Sequence, residues 1–452
     1  MSTGAQQAQT APLHPSDGTA SMRKRLARGG SISFLINSAG MALSMLMQVA
    51  LARMLGAEGY GLFAFVTTIT TFVVFPAKLG FDTTIVRMAA AYRAKGEWGL
   101  LAGLLRRGNQ FGLALSTAAA IIGITVVLLQ SGGEMSERTL TYTAGFATVP
   151  LLTLATLRQS ALQALKDVLF AQMPEKIVRP ILTIGLLGAA ASLGWRADAG
   201  TAMLAFAVSV VLSYGIGAVV LRKRLLPHTS GLAPSYDTKG WLRISTSLMI
   251  NAGMYLVLGQ LNVLMMGVML SETSTGIFSA AVRLASLVSF MLTAINMTAS
   301  PLVSETYARG DMKGLQRVCE SSGRAGFLFA AAVFAGFAIG GRWVLGLFGP
   351  AFHDAYVPLL ILAAGQLFSS FCGQNGTVAT MTGRTSSLTK VLVAAAIVNA
   401  LLNVALIPTM GMIGGAIAAS VSVAMWNIAM VVIVKRQLGI QTMAWPMRGR
   451  KQ

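Results

Sequence analysis

Stretches of about twenty apolar residues recur along almost the whole chain, and twenty residues at 1.5 Å each are what a helix needs to cross roughly 30 Å of hydrocarbon. Inside a bilayer no water satisfies backbone N–H and C=O groups, so each stretch must satisfy them within itself, as a helix. Twelve spans are expected, at about 31–53, 60–80, 109–130, 140–165, 177–195, 201–221, 243–270, 276–300, 325–346, 356–381, 388–407 and 412–434. The composition agrees: 54% of the 452 residues are hydrophobic and 11% charged, a balance foreign to soluble domains of this length. The 48 glycines suit helices whose backbones approach closely in lipid. The expected class is an all-α integral membrane protein.

Charge tests the span count independently, because a wrong count would scatter the basic loops over both sides. With the N-terminus placed inside, 30 of the 35 Lys and Arg fall in inner segments, the exceptions being Arg53, Arg138, Arg196, Arg283 and Arg342. Topology therefore accounts for the net charge of +20, and no nucleic-acid partner is expected. Membrane lipids are, with inner basic residues beside anionic headgroups. Both termini are read as cytoplasmic. Residues 1–29 are polar and without a signal-peptide core, and are expected to form a disordered tail; 436–452 form a basic one. The outer loops are too short to hold a folded domain. The stretch FDTTIVRMAAAYRAKGEWGLLAGLLRRG is expected to lie along the inner surface as an interfacial helix, with Trp98 at headgroup level.

The chain also repeats itself. An offset of 215 residues sets GLFAFVTTITTFVVF, from Gly61, against GIFSAAVRLASLVSF, from Gly276, and INSAGM at Ile36 resembles INAGM at Ile250 with one residue of slippage. The repeat divides the chain into two six-helix bundles, 30–222 and 241–435, joined by a Pro-, Gly- and Ser-containing linker at 223–240. Six is even, so both halves enter the membrane the same way. The repeat is parallel, about an axis along the membrane normal, and a substrate belongs in a central cavity between the halves.

Against this background one residue stands out. Arg283 lies seven residues past Gly276, about 10 Å into its span, where a guanidinium costs at least about 2.5 kcal/mol. It is expected to face a water-filled cavity and bind an anion, in preference to snorkelling. The acidic residues fall in loops or inner segments, so no buried carboxylate is expected to neutralise it, whereas a cation exporter would want a carboxylate inside the membrane. Arg158, near the inner end of span four, reads equally as a snorkelling anchor or a second anion contact. Arg53 and Lys78 sit at span ends, where an interface anchor is the commoner role. Amides recur in the spans, Asn251 and Gln260 among them, and are expected either to bond helix to helix or to line a cavity for a hydroxyl-rich ligand. Cys319 and Cys372 lie far apart, and His14, His228 and His353 lie in the tail and loops. No catalytic constellation, metal site or cofactor is expected.

Four stretches carry a family resemblance: QVALARMLGAEGYGLFAFVTTITTF with the following KLGFDTTIVRMAAAY; GIFSAAVRLASLVSFMLTAINMTASPLVSETYARGDMKGLQRV; GLFGPAFHDAYVPLLILAAGQLF; and GRTSSLTKVLVAAAIVNALLNVALIPTMGMIGGAIAAS. In content and order they resemble the polysaccharide-biosynthesis (Wzx-type) flippases of the multidrug, oligosaccharidyl-lipid and polysaccharide exporter superfamily, over about Gly30 to Gly439. The resemblance implies two six-helix bundles around a central cavity. It also implies that an isoprenoid pyrophosphate-linked oligosaccharide, of the undecaprenyl type, is moved from the inner to the outer leaflet of a bacterial inner membrane by alternating access, for exopolysaccharide, O-antigen or capsule assembly. Cavity cations, Arg283 foremost, would attract the diphosphate, and Arg158, Arg53, Lys78, Asn251 and Gln260 are carried as further substrate contacts. A polysaccharide polymerase is an expected partner. A multidrug or cation antiporter and a peptidoglycan-precursor flippase of the same superfamily are the alternatives, and a membrane glycosyltransferase or polymerase is disfavoured by the short outer loops.

Overall fold

A computed structural model describes residues 16–229 and 231–445, with side chains from residue 34 onward except those of 226, 228 and 247. Among the described residues there is no strand. The helices are α1 (Ser16–Ala77), α2 (Phe81–Lys95), α3 (Trp98–Gln130), α4 (Glu137–Ala164), α5 (Val168–Met173), α6 (Arg179–Ser192), α7 (Ala199–Thr229), α8 (Thr238–Met269), α9 (Glu272–Ala308), α10 (Met312–Gly346), α11 (Tyr356–Cys372), α12 (Asn375–Met381) and α13 (Thr385–Leu438). A π-helical turn, Pro174–Val178, joins α5 to α6, and a 3-10 turn, Pro350–Ala355, precedes α11. The chain is a multi-pass membrane protein: nine of the described helices are long and apolar enough to cross a bilayer.

Two of those nine are double-length. α1 bends at Gly56 (φ 69°, ψ −178°) and α13 at Gly411 (φ 57°, ψ −134°). A positive φ strains any residue with a Cβ, so glycine lets each helix turn back without a loop. With each bent helix taken as two crossings and α5–α6 as one more, the layout accommodates the twelve expected spans. One face of the bundle, called here the basic face, carries Arg93, Arg106, Arg222, Lys239, Lys313 and Lys435; the far face carries Gly56, Arg138, Glu272 and Gly349.

Three boundaries differ from expectation. α1 begins at Ser16, inside the stretch read as a tail up to residue 29, because ASMRKRLA is rich in strong helix formers; residues 1–15 lie outside the described residues, as do 446–452 of the basic C-terminal tail. α7 runs on through Arg222 to Thr229, so helix occupies the first part of the linker at 223–240. The interfacial helix stops at Lys95, where Gly96 (φ 74°) caps α2, and Trp98 begins the 33-residue α3 instead of lying on the surface. α2 keeps Phe81, Ile85, Ala89 and Tyr92 buried against α3 and α4. Tyr92 accepts a hydrogen bond from Trp241 Nε1 at 2.9 Å, tying it to α8.

The repeat is visible in space. α1 breaks at Gly56, and α8 ends just before Ser271, the N-cap of α9, at the same offset of 215 residues. The helices that the repeat equates, the second arm of α1 and α9, pack along each other. A Cβ on Gly61 would overlap the carbonyl oxygen of Glu272, and one on Gly276 would overlap that of Ala57. Residues 57 and 61 are the counterparts of 272 and 276, so the contact is reciprocal, as a two-fold axis between the halves requires. The far face is closed along this seam. Tyr60 is fully buried there and meets Phe352 edge to face at 5.9 Å.

Candidate functional site: a cationic cavity between the halves

Below the glycine seam, toward the basic face, lies a cavity of about 500 Å³ walled by α1, the turn Pro174–Val178, α6, α7 and α9. Arg283 opens into it from α9, and Lys176 and Arg179 enter from the opposite wall. Gln48, Thr67 and Arg283 also line a smaller recess of about 30 Å³ that reaches Gln260, Ser279 and Tyr60 beneath the seam. The polar floor is ordered from within: Tyr60 donates to Gln48 Oε1 at 3.0 Å. Thr67 turns its hydroxyl back on the Phe63 and Ala64 carbonyls of its own helix, both at 2.9 Å.

The second and third cations reach the cavity because the backbone is irregular. Pro174 has no N–H to give the preceding turn, and the chain widens into a π turn over Pro174–Val178. This turn presses against α1 at Gly40, where a Cβ would stand 2.7 Å from Cβ of Lys176. Lys176 donates to Asn37 Oδ1 of α1. Arg179, at the start of α6, lies 3.8 Å from Glu175 Oε1 and over the ring of Phe206 at 6.0 Å; its Nε has no hydrogen-bond partner.

Glu175 corrects the expectation that no carboxylate stands near Arg283: it lines the same cavity. Its charge is spoken for, however, because Oε1 is bonded by Arg158 Nη2 and faces Arg179. Arg283 makes no ion pair among the described residues, so the cavity walls carry three cations against one shared carboxylate.

Of the six residues singled out in the sequence, Arg283 and Gln260 come together here. Arg158 does not line this cavity: it is buried, 3% exposed, with Nη2 on Glu175 and Nη1 3.4 Å from the Ser213 carbonyl. A cation so buried cannot snorkel, and its burial is tolerable only because the carboxylate meets it. Arg158→Met leaves Glu175 with Arg179 alone, at 3.8 Å, and is expected to destabilise the protein by about 3 kcal/mol, the low end for a broken buried pair. A lowered unfolding midpoint in detergent checks this, and the double variant Arg158→Met, Glu175→Leu should recover most of the loss.

Arg53 donates to the Leu347 and Gly346 carbonyls at 2.7 and 2.8 Å, closing the C-terminus of α10 at the far face. Lys78 pairs with Asp82 at 2.5 Å one turn on, at the basic face. Asn251 accepts from Thr389 at 2.6 Å and so bonds α8 to α13. Lys176, Arg179, Glu175 and Thr67 are cavity residues that sequence reasoning did not select, whereas Gln48 is one of the recurring span amides. The signal for the first three was present in MPEKIVRP, where two prolines and three charges sit at the mouth of an apolar span.

Two helical halves about an axis normal to the membrane, with a charged cavity on that axis, define a transporter architecture. The chain belongs to the polysaccharide biosynthesis protein family, whose family model matches residues 26–307. It is 24% identical over 408 residues, 88% of this chain and 81% of the relative, to the probable low-salt glycan biosynthesis flippase Agl15 of Haloferax volcanii. Among solved structures its fold is similar to that of a multidrug resistance MATE family transporter of the MOP superfamily in an inward-facing conformation (TM-score 0.72, 14% identity, 91% of this chain and 98% of that one). It is also similar to the lipid II flippase MurJ in an inward closed conformation (TM-score 0.67, 14% identity, 89% and 87%).

Proposed function

We propose that the protein is a flippase that moves a lipid-linked oligosaccharide across a bacterial inner membrane by alternating access, for surface polysaccharide assembly. The observation that carries this reading is the unbalanced charge of the cavity, where Lys176, Arg179 and Arg283 face a single carboxylate that Arg158 already holds. Such a wall attracts an anion and repels a cationic drug. A diphosphate, with oxygens to accept several N–H donors at once, matches guanidinium geometry. The family, the flippase named among its relatives and the fold shared with a lipid II flippase support a cargo that is a glycan carried on a lipid. The undecaprenyl diphosphate carrier is the finer form of the proposal, as is a polysaccharide polymerase that takes the cargo on the other side.

The basic face is then cytoplasmic, with both termini, and the closed glycine seam faces outward. Loading occurs from the basic side, with the diphosphate drawn to Arg283 and the lipid tail left in the bilayer. Residues Gln48 and Thr67, which line the main cavity, offer hydrogen bonds to sugar hydroxyls. Opening requires the seam to part while the basic side closes.

The test is reconstitution in proteoliposomes with an undecaprenyl diphosphate oligosaccharide bearing a fluorescent sugar, its transfer followed by loss of signal to a membrane-impermeant quencher. Protein-dependent transfer is expected, with the corresponding neutral glycolipid transferred at least about tenfold more slowly, since one charge-assisted bond is worth about 1.5–3 kcal/mol. Equal rates for the two lipids, or transport of a cationic dye in place of either, would defeat the proposal.

A further inference from the structure

Arg158 lines a second cavity, separate from the central one. α3 and α7 each pack along α4 but barely touch each other, which leaves a groove of about 310 Å³ with α4 as its floor. Asn109 of α3 forms one wall; Tyr214, Ala218 and Arg222 of α7 form the other; Leu154 and Arg158 lie at the bottom. None of the lining residues is acidic. The Arg158 guanidinium is packed against α7 so closely that a Cβ on Gly217 would overlap it, and its Nε has no hydrogen-bond partner. Arg222 is exposed at the rim and makes no ion pair among the described residues.

Depth and surroundings select the ligand. Arg158 lies 21 residues into α4 and Arg222 23 residues into α7, so both stand about 31–35 Å from the far ends of their helices, just past the roughly 30 Å of hydrocarbon. That is the headgroup layer of the basic face. Beside the groove, around α7 from Tyr214 and Ala218, Val208, Val211, Leu212, Ile216 and Val219 are exposed apolar side chains, a surface fit for acyl chains.

We propose that the groove between α3 and α7 is a binding site for the headgroup of an anionic phospholipid of the adjoining leaflet, its phosphate held by Arg158 and Arg222 and its acyl chains lying along α7. The site does not depend on what the central cavity transports. It places a lipid phosphate on one side of Arg158 while Glu175, on the other side, faces the central cavity.

Full-length protein in detergent, titrated with phosphatidylglycerol or phosphatidylcholine and observed by native mass spectrometry, tests the site. One phosphatidylglycerol is expected to bind about tenfold more tightly than phosphatidylcholine. Arg222→Gln, which removes the rim charge, and Ala218→Phe, which fills the groove, are each expected to erase that preference. Lys313→Gln, an exposed charge elsewhere on the basic face, should leave it intact. Equal affinity for the two lipids, persistence of the preference in both folded groove variants, or its loss in Lys313→Gln would overturn the assignment. Displacement of phosphatidylglycerol by sn-glycerol 3-phosphate at equal concentration would overturn it in favour of a soluble anion.

Discussion

Arg283→Ala is expected to slow flipping about a hundredfold while leaving the protein folded. The side chain is exposed to the cavity and holds no partner in an ion pair among the described residues. Its removal therefore strands nothing and should leave the unfolding midpoint within about 2 °C of wild type, as for a surface substitution. What it takes away is two charge-assisted hydrogen bonds to a diphosphate. At about 1.5 kcal/mol each these amount to about 3 kcal/mol, or roughly two decades in rate if they form fully only as the cargo moves. Arg283→Lys keeps the charge but not the planar fork and should recover about a tenth of the activity. A wild-type rate in the alanine variant, with the quenching assay, would remove Arg283 from the substrate path.

Gly276→Val is the second change with a large expected effect, and it acts on the seam instead of the cargo. The added Cβ has nowhere to go: it meets the Ala57 carbonyl and the backbone of Gly61 across the axis. Neither is a flexible side chain, so the far face must part. A variant that cannot close there cannot alternate, and flipping should fall below about 1% of wild type. The same opening is readable without transport. Ser279, about one turn below Gly276, is 4% exposed in the closed form, so Ser279→Cys should resist a membrane-impermeant maleimide added from the far side. In the Gly276→Val background it should label, against a low blank because Cys319 and Cys372 are both buried. Continued protection of that cysteine in the folded double variant would mean the seam can absorb the bulk.

The fold was legible because lipid imposes a length on every span and charge imposes a side on every loop. Two independent signals therefore agreed on the crossings before any packing was known. The repeat was legible too, but only as likeness: that Gly61 and Gly276 resemble each other says nothing of their touching, which depends on how the halves are docked. The site was half legible. Arg283 announced itself by interrupting an apolar run. Lys176 and Arg179 did not, since MPEKIVRP has the proline and charge density of a surface loop, and only the π turn shows how such a segment can line a cavity inside the bundle. Arg158 was ambiguous for a plain reason: its partner Glu175 lies 17 residues away across a helix break, a separation that no helical periodicity links. Arg53 and Lys78 took the anchoring roles that position at a span end favours.

Gly56 and Gly411, unlike the seam glycines, stand in open space, with nothing within 4 Å of where a Cβ would be. Near one surface the molecule thus places a point of hard backbone contact beside two bends whose glycines have room where a Cβ would stand. Mechanically the seam is the latch of this closed form, which must let go before the halves can rock. A tilt of about 10° about a point near the basic face displaces the seam, roughly 30 Å away, by about 5 Å. Most of that travel, and the work of wetting backbone now packed against backbone, would then fall on the side where the cargo leaves.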